Sequence, residues 1–410
     1  MSSDGRPGWP EAVWIGEVDS TEVAAAPAQA RLELADADGY RHARFLVRAG
    51  RAFRGFVQVP VVEGSVAVAD LADAISGLPE GETLADPATP PMSVVIATRD
   101  RPALLRQAID AVLACDYPRF EVVVVDNGSQ STETVETVRT HPDPRVRCIV
   151  EPRPGVSRAR NRGVRAAVHD HVAFVDDDVV VDRHWLMGLA QGFDRAPDVA
   201  MVCSLVPSGE IRTQTQAWFD QRVTWADADR PRVFRLSEPP PDVPLFPFQV
   251  GAYGTGASMA VRRDAYERIG ATDLALGGGQ PTKGGEDIDL FVRMLLAGYA
   301  LAVEPGAVAW HRHRDTPEAL AAQAIGYGRG LGAWLTKIAL TPSMLRWALP
   351  LAPAAFVRIR ALARGANARR ARSAEGLPAG YAERLGRLER RSIVTGPFHY
   401  LRARWRTWRP

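Results

Sequence analysis

The stretch Ser93-Val94-Val95-Ile96-Ala97-Thr98-Arg99-Asp100 is followed by a segment from Pro102 to Leu113. Then comes Phe120-Glu121-Val122-Val123-Val124-Val125-Asp126-Asn127-Gly128-Ser129. The first run is rich in β-branched residues and reads as a strand. The next reads as a helix with proline in its first turn, and the third as a mostly apolar strand. The alternation continues downstream: strands at Val146–Val150, His171–Val175 and Ala200–Leu205, and helices at Thr132–Val138, Val156–Val168 and Arg183–Phe193. Asp100 and Asp182 stand where helix caps would stand. Short apolar strands separated by helices specify an α/β fold, with a mostly parallel sheet covered on both faces. In such sheets ligands bind beyond the carboxyl ends of the strands, so that rim is where chemistry is expected.

Working outward, the 410 residues suffice for two or three domains. A hydrophobic fraction of 46% and a charged fraction of 24% fit a folded globular chain rather than a disordered one. Residues 1–85 read as a small β-rich domain, with strands at Phe45–Val47 and Phe53–Val62 and a short helix at Ala69–Ile75. The proline-rich run Asp86-Pro87-Ala88-Thr89-Pro90-Pro91 reads as a linker, residues 92–340 as the principal domain, and 341–410 as a basic helical extension. From Phe356 onward there are fourteen Arg and three Glu, a net of +11, which leaves the first 355 residues at −9 of the overall +2. A basic end on an acidic body, with Trp405 and Trp408 among Arg402, Arg404, Arg406 and Arg409, fits contact with an anionic membrane surface; a solvated tail is the alternative. No nucleic-acid recognition module is visible. Cys115, Cys148 and Cys203 match no zinc or disulfide pattern and read as core residues of a reducing compartment. The start, Met1-Ser2-Ser3-Asp4, lacks the order of a signal peptide, and no apolar run reaches the ~20 residues a spanning helix needs. The expected location is cytoplasmic, peripheral at the inner face of the cell membrane.

Three polar clusters fall at the ends of strands: Thr98-Arg99-Asp100, Asp126-Asn127-Gly128-Ser129 and Asp176-Asp177-Asp178. Three adjoining carboxylates repel one another and raise each other's pKa. A divalent cation relieves that cost, and hard oxygen ligands suit Mg2+ or Mn2+. A solvated acidic turn is the competing reading of the triplet, and an ordinary turn that of Asp126. Further on, Gly284-Gly285-Glu286-Asp287-Ile288-Asp289-Leu290 opens a helix that Gly298 stops. Carboxylates in a first helical turn are favoured by the helix dipole, which also keeps them ionised as a general base requires. Asp289 stands four residues before Arg293 and suits an ion pair, which leaves Asp287 free to face a ligand. In Trp310-His311-Arg312-His313-Arg314 an imidazole is available to complete a metal site and the arginines to hold phosphate. No Gly-x-Ser-x-Gly elbow, Walker A loop or Gly-x-Gly-x-x-Gly after the first strand is present.

The segment from Met92 to about Ile338 resembles the glycosyltransferase family 2 enzymes of GT-A fold. The carrying motifs, in order, begin at Ser93 (SVVIATRDRP), Val123 (VVVDNGS), Gly155 (GVSRARNRG), Phe174 (FVDDD), Gly254 (GTGASMAVRR), Gly285 (GEDIDL) and Trp310 (WH). The resemblance implies that Thr98, Arg99 and Asp126 hold the nucleoside, with Asn161 nearby. It implies that Asp176 and Asp178 form the family's Asp-x-Asp pair beside Asp177, at the nucleotide-sugar, with Asp178 the direct metal ligand. It makes Asp287 the general base, positioned by Glu286, and His311 a partner of the metal or diphosphate, with His313 adjacent. The implied reaction is metal-dependent, inverting transfer of a sugar from a nucleotide diphosphate-sugar to an acceptor hydroxyl, on a glycan or lipid-linked acceptor of polysaccharide, cell-envelope glycan or glycolipid synthesis. No Gln-x-x-Arg-Trp motif of processive synthases is present, which favours single transfers. Two alternatives stand beside it. A sugar nucleotidyltransferase would need a glycine-rich, basic triphosphate loop after the first strand, which is missing. A non-catalytic nucleotide-sugar- or glycan-binding protein would have lost a base or metal ligand, yet all are present.

Overall fold

A computed structural model describes residues 6–82, 87–223, 228, 230–357 and 380–408. Met1–Asp4, Asp86 of the expected linker, the arginine-rich stretch at 358–379, Arg409 and the side chain of Trp408 lie outside the described residues.

The first unit contains β1 (Val13–Asp19), α1 (Ser20–Ala25), β2 (Arg31–Glu33), β3 (His42–Ala49), β4 (Ala52–Pro60), β5 (Ser65–Ala67) and α2 (Val68–Ser76). Its sheet has the order β1-β3-β4, with β1 parallel to β3, and β2 pairs separately with β5. Alternation along β4 buries Val57 and Val59, and α2 closes that face with Leu71 and Ile75. The expected strands and helix are present, while β1, α1, β2 and β5 were not expected.

Among the described residues the principal sheet has nine strands: β6 (Met92–Thr98), β7 (Phe120–Asp126), β8 (Val146–Val150), β9 (His171–Asp176), β10 (Val179–Val181), β11 (Val199–Leu205), β12 (Arg232–Phe234), β13 (Ser258–Arg262) and β14 (Ala300–His311). The order is β10-β14-β11-β13-β9-β6-β7-β8, with β12 on β14. Strands β6, β7, β8, β9, β11 and β14 run one way, and β10, β12 and β13 run against them. The helices are α3 (Pro102–Leu113), α4 (Glu133–Arg139), α5 (Val156–Ala166), α6 (Trp185–Asp194), α7 (Gln214–Asp220), α8 (Arg263–Arg268) and α9 (Glu286–Leu296). One apolar layer joins α3 and α6 to the sheet through Ile109, Val112, Trp185 and Leu189; the other joins α5, α8 and α9 through Val164, Tyr266, Leu290 and Phe291. The expected α/β fold, covered on both faces, is what these layers form. All three cysteines are free.

Two expected caps come out differently. Asp100 has a left-handed φ of 55°, and its carboxylate accepts from the Gln130 N–H at 2.6 Å instead of capping α3, whose N-cap is Arg101. Asp182 precedes α6, but the helix begins at Trp185 with His184 as N-cap; the Asp182 carboxylate turns to the His184 N–H and to Arg48.

The chain continues through α10 (Pro317–Leu340), α11 (Pro342–Ala348) and α12 (Tyr381–Trp408). α10 carries Gly326, Gly328, Gly330 and Gly332, each costing about 1 kcal/mol of helix propensity against alanine. The spacing gives two ridges, each of glycines four residues apart. Gly328 and Gly332 lie against Glu389, Ile393 and Gly396 of α12, and Gly326 and Gly330 against Lys283 and Gly284. Close backbone approach on two sides explains why side chains are absent there. Leu320 and Ala324 pack with Tyr381 and Leu385, and Ala333 with Tyr400 and Ala403, so α10 and α12 run parallel. The segment after residue 340, expected as a separate extension, thus contributes α12 as a helix bedded on α10.

The first unit packs on the principal sheet. Leu46, Phe53 and Phe56 meet Leu205, Val308 and Trp310, and Arg44 pairs with Asp220 at 3.0 Å. At the seam the buried Arg48 guanidinium reaches Asp182 at 2.9 Å and Glu17 at 3.0 Å. Removing one partner of such a buried pair costs about 3–5 kcal/mol, because the other charge is left uncompensated. Arg48→Met should therefore lower the urea unfolding free energy by about that amount. Arg6→Met, which removes an exposed ion pair with Asp38, should be close to silent in the same assay.

Candidate active site

The strand register assembles the rim. Thr98 lies beside Asp126 in the β6–β7 pair, and Ala97 beside Asp176 in the β6–β9 pair. The three clusters expected at one edge are at one edge. A fourth arrives by the antiparallel pairing of β10 with β14, which sets Val179 opposite His311. The Arg312 N–H donates to the Asp178 carbonyl at 3.1 Å, and the His311 Nε2 lies 3.4 Å from Asp178 Oδ1. Residues far apart in sequence thus meet because a three-residue strand follows the acidic triplet directly.

Each acidic side chain has a different surrounding. Thr98 Oγ1 donates to Asp177 Oδ2 at 2.7 Å, and Arg101 Nη1 donates to Asp177 Oδ1 at 2.9 Å. Asp178 faces Arg101 at 3.3 Å and Arg314 at 3.6 Å besides His311. Burial would raise its pKa, but His311, Arg314 and Arg101 outweigh that and hold it below the usual carboxylate range. Asp176 moves the other way, to about 6, because burial and the charges of Asp178 and Asp177 exceed the pull of Arg160. Burial also raises Asp177.

The opposite wall begins at Gly285, whose φ of 90° turns the chain into α9. Asp287 Oδ2 accepts from the Gly256 N–H at 2.9 Å, and a Cβ on Gly256 would come within 2.8 Å of the Asp287 Cβ. Glu286 is raised to about 7 by burial and by the charge of Asp287. Asp289 is fully buried and pairs with Arg293 at 2.7 Å, as expected, and with Lys337 at 2.9 Å.

Arg160, to which the sequence reading gave no role, joins the two walls. Its buried guanidinium contacts Asp176 at 3.0 Å, Glu286 at 3.2 Å and the Gly256 carbonyl at 2.7 Å. The available signal was an arginine on the same face of α5 as Ser157 and Val164, both buried. Arg101 was likewise unassigned.

A cleft of about 990 Å³ lies between the walls. It is lined by Thr98, Arg99, Asp176, Asp177, Asp178 and His311 on one side, and by Glu286, Asp287 and the 254–257 turn on the other. The outer part is closed by Trp218 and Phe219 of α7, by Gln323 and Tyr327 of α10, and by Glu389 of α12. Two expected residues do not reach this lining. Asp126 folds into a turn and accepts from the Ser129 N–H at 3.1 Å, leaving Asn127 at the wall. Asn161 is consumed inside the fold: its Oδ1 accepts from Tyr266 Oη and Thr272 Oγ1, both at 2.6 Å, and its Nδ2 donates to the Thr272 carbonyl at 3.0 Å. His313 sits behind His311, ring nitrogen to ring nitrogen at 3.0 Å, against Phe219; burial lowers it to about 2, so it stays neutral.

Among the described residues, no three His, Cys, Asp or Glu side chains gather around one point in metal-binding geometry. Asp178 and His311 nevertheless form a compatible donor pair. One is a carboxylate kept ionised, and the other an imidazole whose Nδ1 is turned to His313 while its Nε2 faces Asp178. Two protein donors with room in the cleft suit a cation whose remaining positions are filled by a ligand's oxygens. Asp176, engaged by Arg160, is set apart from that pair.

Residues 90–329 match the family described as glycosyltransferase-like family 2, and the chain belongs to that family. The pre-mycofactocin glycosyltransferase of Mycobacterium tuberculosis is 28% identical over 239 residues, covering 58% of this chain and 46% of that protein. The glucosyl-dolichyl phosphate glucuronosyltransferase of Haloferax volcanii is 26% identical over 190 residues, covering 45% and 57% respectively. The chain spans about half the length of these curated relatives. Among solved structures, the mannosyltransferase PcManGT from Pyrobaculum calidifontis, in complex with GDP-Man and Mn2+, superposes with a TM-score of 0.49 at 21% identity, over 76% of this chain and 88% of that one.

The Gly284–Gly285 backbone ahead of Glu286 rests on Gly330 of α10, where an added Cβ would lie 2.7 Å from the Gly284 carbonyl carbon. Displacements of about 1 Å at a reacting group can cost up to ~10²-fold in rate. Gly330→Ala should reduce kcat at least about tenfold while the chain stays folded by circular dichroism. Gly326→Ala, whose Cβ would make only an ordinary 3.6 Å contact with Lys283, should stay near wild type.

Proposed function

We propose that this protein is an inverting glycosyltransferase that moves a sugar from a nucleotide diphosphate-sugar to an acceptor hydroxyl. The observation carrying the reading is that Asp178 with His311 and Asp287 with Glu286 line opposite walls of one cleft. Family membership and relatives named as glycosyltransferases support it.

In this mechanism the nucleotide lies across the ends of β6 and β7, near Thr98, Arg99 and Asn127, and Arg101 and Arg314 supply positive charge to the diphosphate. Asp178 and His311 would hold Mg2+ or Mn2+, which when bound neutralises charge on the departing nucleotide diphosphate. Asp287 takes the proton of the acceptor hydroxyl. The Gly256 N–H fixes one of its oxygens at the first turn of α9. Glu286, paired with Arg160, holds that turn against Asp176. A base facing the leaving-group side across the cleft suits direct displacement from the opposite face of the sugar. The acceptor enters past Trp218, Phe219 and Tyr327, a rim suited to a glycan or a lipid-linked glycan, and the reading places the enzyme in the cytoplasm at the inner face of the membrane.

The test is a screen of nucleotide-sugars for turnover that is lost on chelation and restored by Mg2+ or Mn2+. Asp287→Asn should lower kcat by about 10² to 10⁴ while leaving donor affinity unchanged. Asp178→Asn should raise the metal concentration needed for half-maximal rate. Near wild-type turnover in Asp287→Asn would remove the base assignment. Pyrophosphate release from a nucleoside triphosphate would identify a nucleotidyltransferase instead.

A further inference from the structure

α12 has two opposite sides. Ser392, Gly396, Tyr400 and Ala403 are buried, with Gly396 against Gly332 and with Tyr400 and Ala403 against Ala333. At 100° per residue, the side facing away from α10 carries Val394, Phe398, Leu401 and Trp405, which are 80%, 65%, 54% and 57% exposed. Their four-three-four spacing forms one apolar line along the helix. Exposed arginines border it on both sides: Arg390 and Arg404 on one, Arg391, Arg402 and Arg406 on the other. Because α10 and α12 run parallel, their C-terminal ends coincide. Leu335 and Leu340 of α10, and Trp347 and Leu349 just after it, are exposed as well. Scattered apolar residues on a surface need no explanation, but a continuous line edged by arginine does.

We infer that the outer face of α12 is a lipid-docking surface. Its apolar line enters the headgroup–acyl boundary of an anionic bilayer, and the flanking arginines bind lipid phosphates. This deepens the proposed function by supplying the membrane contact and a lipid-linked acceptor, and it rests on that reading only for the acceptor. The chemistry is that of an amphipathic helix lying in the plane of the interface, with apolar side chains down and long basic side chains spread at headgroup level. Charge favours the same partner. The chain carries its excess of arginine at this end, with a net of +11 from Phe356 onward, and basic side chains near an anionic surface are each attracted to it. A polyanion such as nucleic acid would satisfy the arginines but leave the apolar line in water. Among the described residues, no helix is long and apolar enough to cross a membrane, so the contact is peripheral.

The location also suits the cleft. Glu389 of α12 lines its outer wall, and Val394 follows five residues later, about 7.5 Å along the helix. Val394 is also about 140° around the helix from Glu389, so a membrane under α12 would lie one helix diameter, ~10 Å, from the cleft mouth.

The test is flotation of the full chain with vesicles of phosphatidylcholine alone and of phosphatidylcholine with phosphatidylglycerol. The wild type should float with the anionic vesicles and weakly or not at all with the neutral ones. The triple variant Val394→Ser, Phe398→Ser, Leu401→Ser should lose about tenfold or more of its partition. Arg391→Gln with Arg402→Gln should weaken binding and reduce its salt dependence. All five positions are exposed, so circular dichroism and metal-dependent donor hydrolysis without acceptor should be unchanged; these readouts separate failure of docking from failure of the catalytic reading. Equal flotation of wild type and the serine variant would overturn the inference. So would a wild-type dimer that ignores vesicles and becomes monomeric in the serine variant, because the line would then be a contact between copies. Preferential binding of RNA over anionic vesicles would overturn it too.

Discussion

The buried guanidinium of Arg160 is the interaction on which the cleft depends. Three carboxylates, those of Asp176, Glu286 and Asp287, converge there from a strand end and a helix start. Without a cation between them they would repel across a space that water screens poorly. Arginine suits the position because its planar fork reaches two carboxylates and a carbonyl at once and does not lose its proton. The Gly256 carbonyl accepts from this guanidinium and its amide donates to Asp287, so the same glycine backbone binds both partners. The spacing between the acidic triplet and the first turn of α9 is thereby set by a fixed object rather than by loop length.

The flanking parts shape the cleft from outside. The first unit braces the end of β14 through Phe56 and Trp310, one residue before His311, and grips α7 through Arg44 and Asp220. α7 in turn places Trp218 and Phe219 at the mouth. These contacts are packing support for the site's framework. On the other side α10 and α12 complete the wall, with Arg222 of the α7 side paired to Glu389 at 3.1 Å. Thr98, Arg99, the acidic triplet and α7 all come from the segment that matches the family, while Gln323, Tyr327 and Glu389 of the outer wall come from helices at or beyond its end.

Much of the fold was legible because the strands are short, apolar and separated by helices with clear start and stop residues. Thr98, Asp126 and Asp176 came to one rim because parallel register follows from that alternation. Asp287 and Asp289 were separable by spacing alone, since only Asp289 has a basic residue four positions on. The failures share a cause: each depended on a contact distant in sequence. Asn161 has the chemistry of a nucleoside ligand, but Tyr266 and Thr272 take its amide, and no local pattern announces them. Asp100 has the position of a cap, but a left-handed turn sends its carboxylate to Gln130. Arg160 was hidden among the four arginines of α5, where only burial distinguishes it. β1 was missed because its partner β3 lies across a parallel connection, with little alternation of its own to declare a strand.

The paired glycine ridges of α10 have a mechanical consequence. At these glycines the helix touches the backbone at Gly284 and Gly285 on one side and the backbone of α12 on the other, with only the Cβ atoms of Lys283 and Ser392 among the side-chain contacts. Side-chain layers act as cushions between elements; at these positions the cushion is thin. A force on α12, such as the drag of an attached vesicle or the pull of a bound acceptor, passes through α10 as through a rigid strut. Its far end is the peptide units immediately ahead of Glu286 and Asp287, against which Gly330 rests.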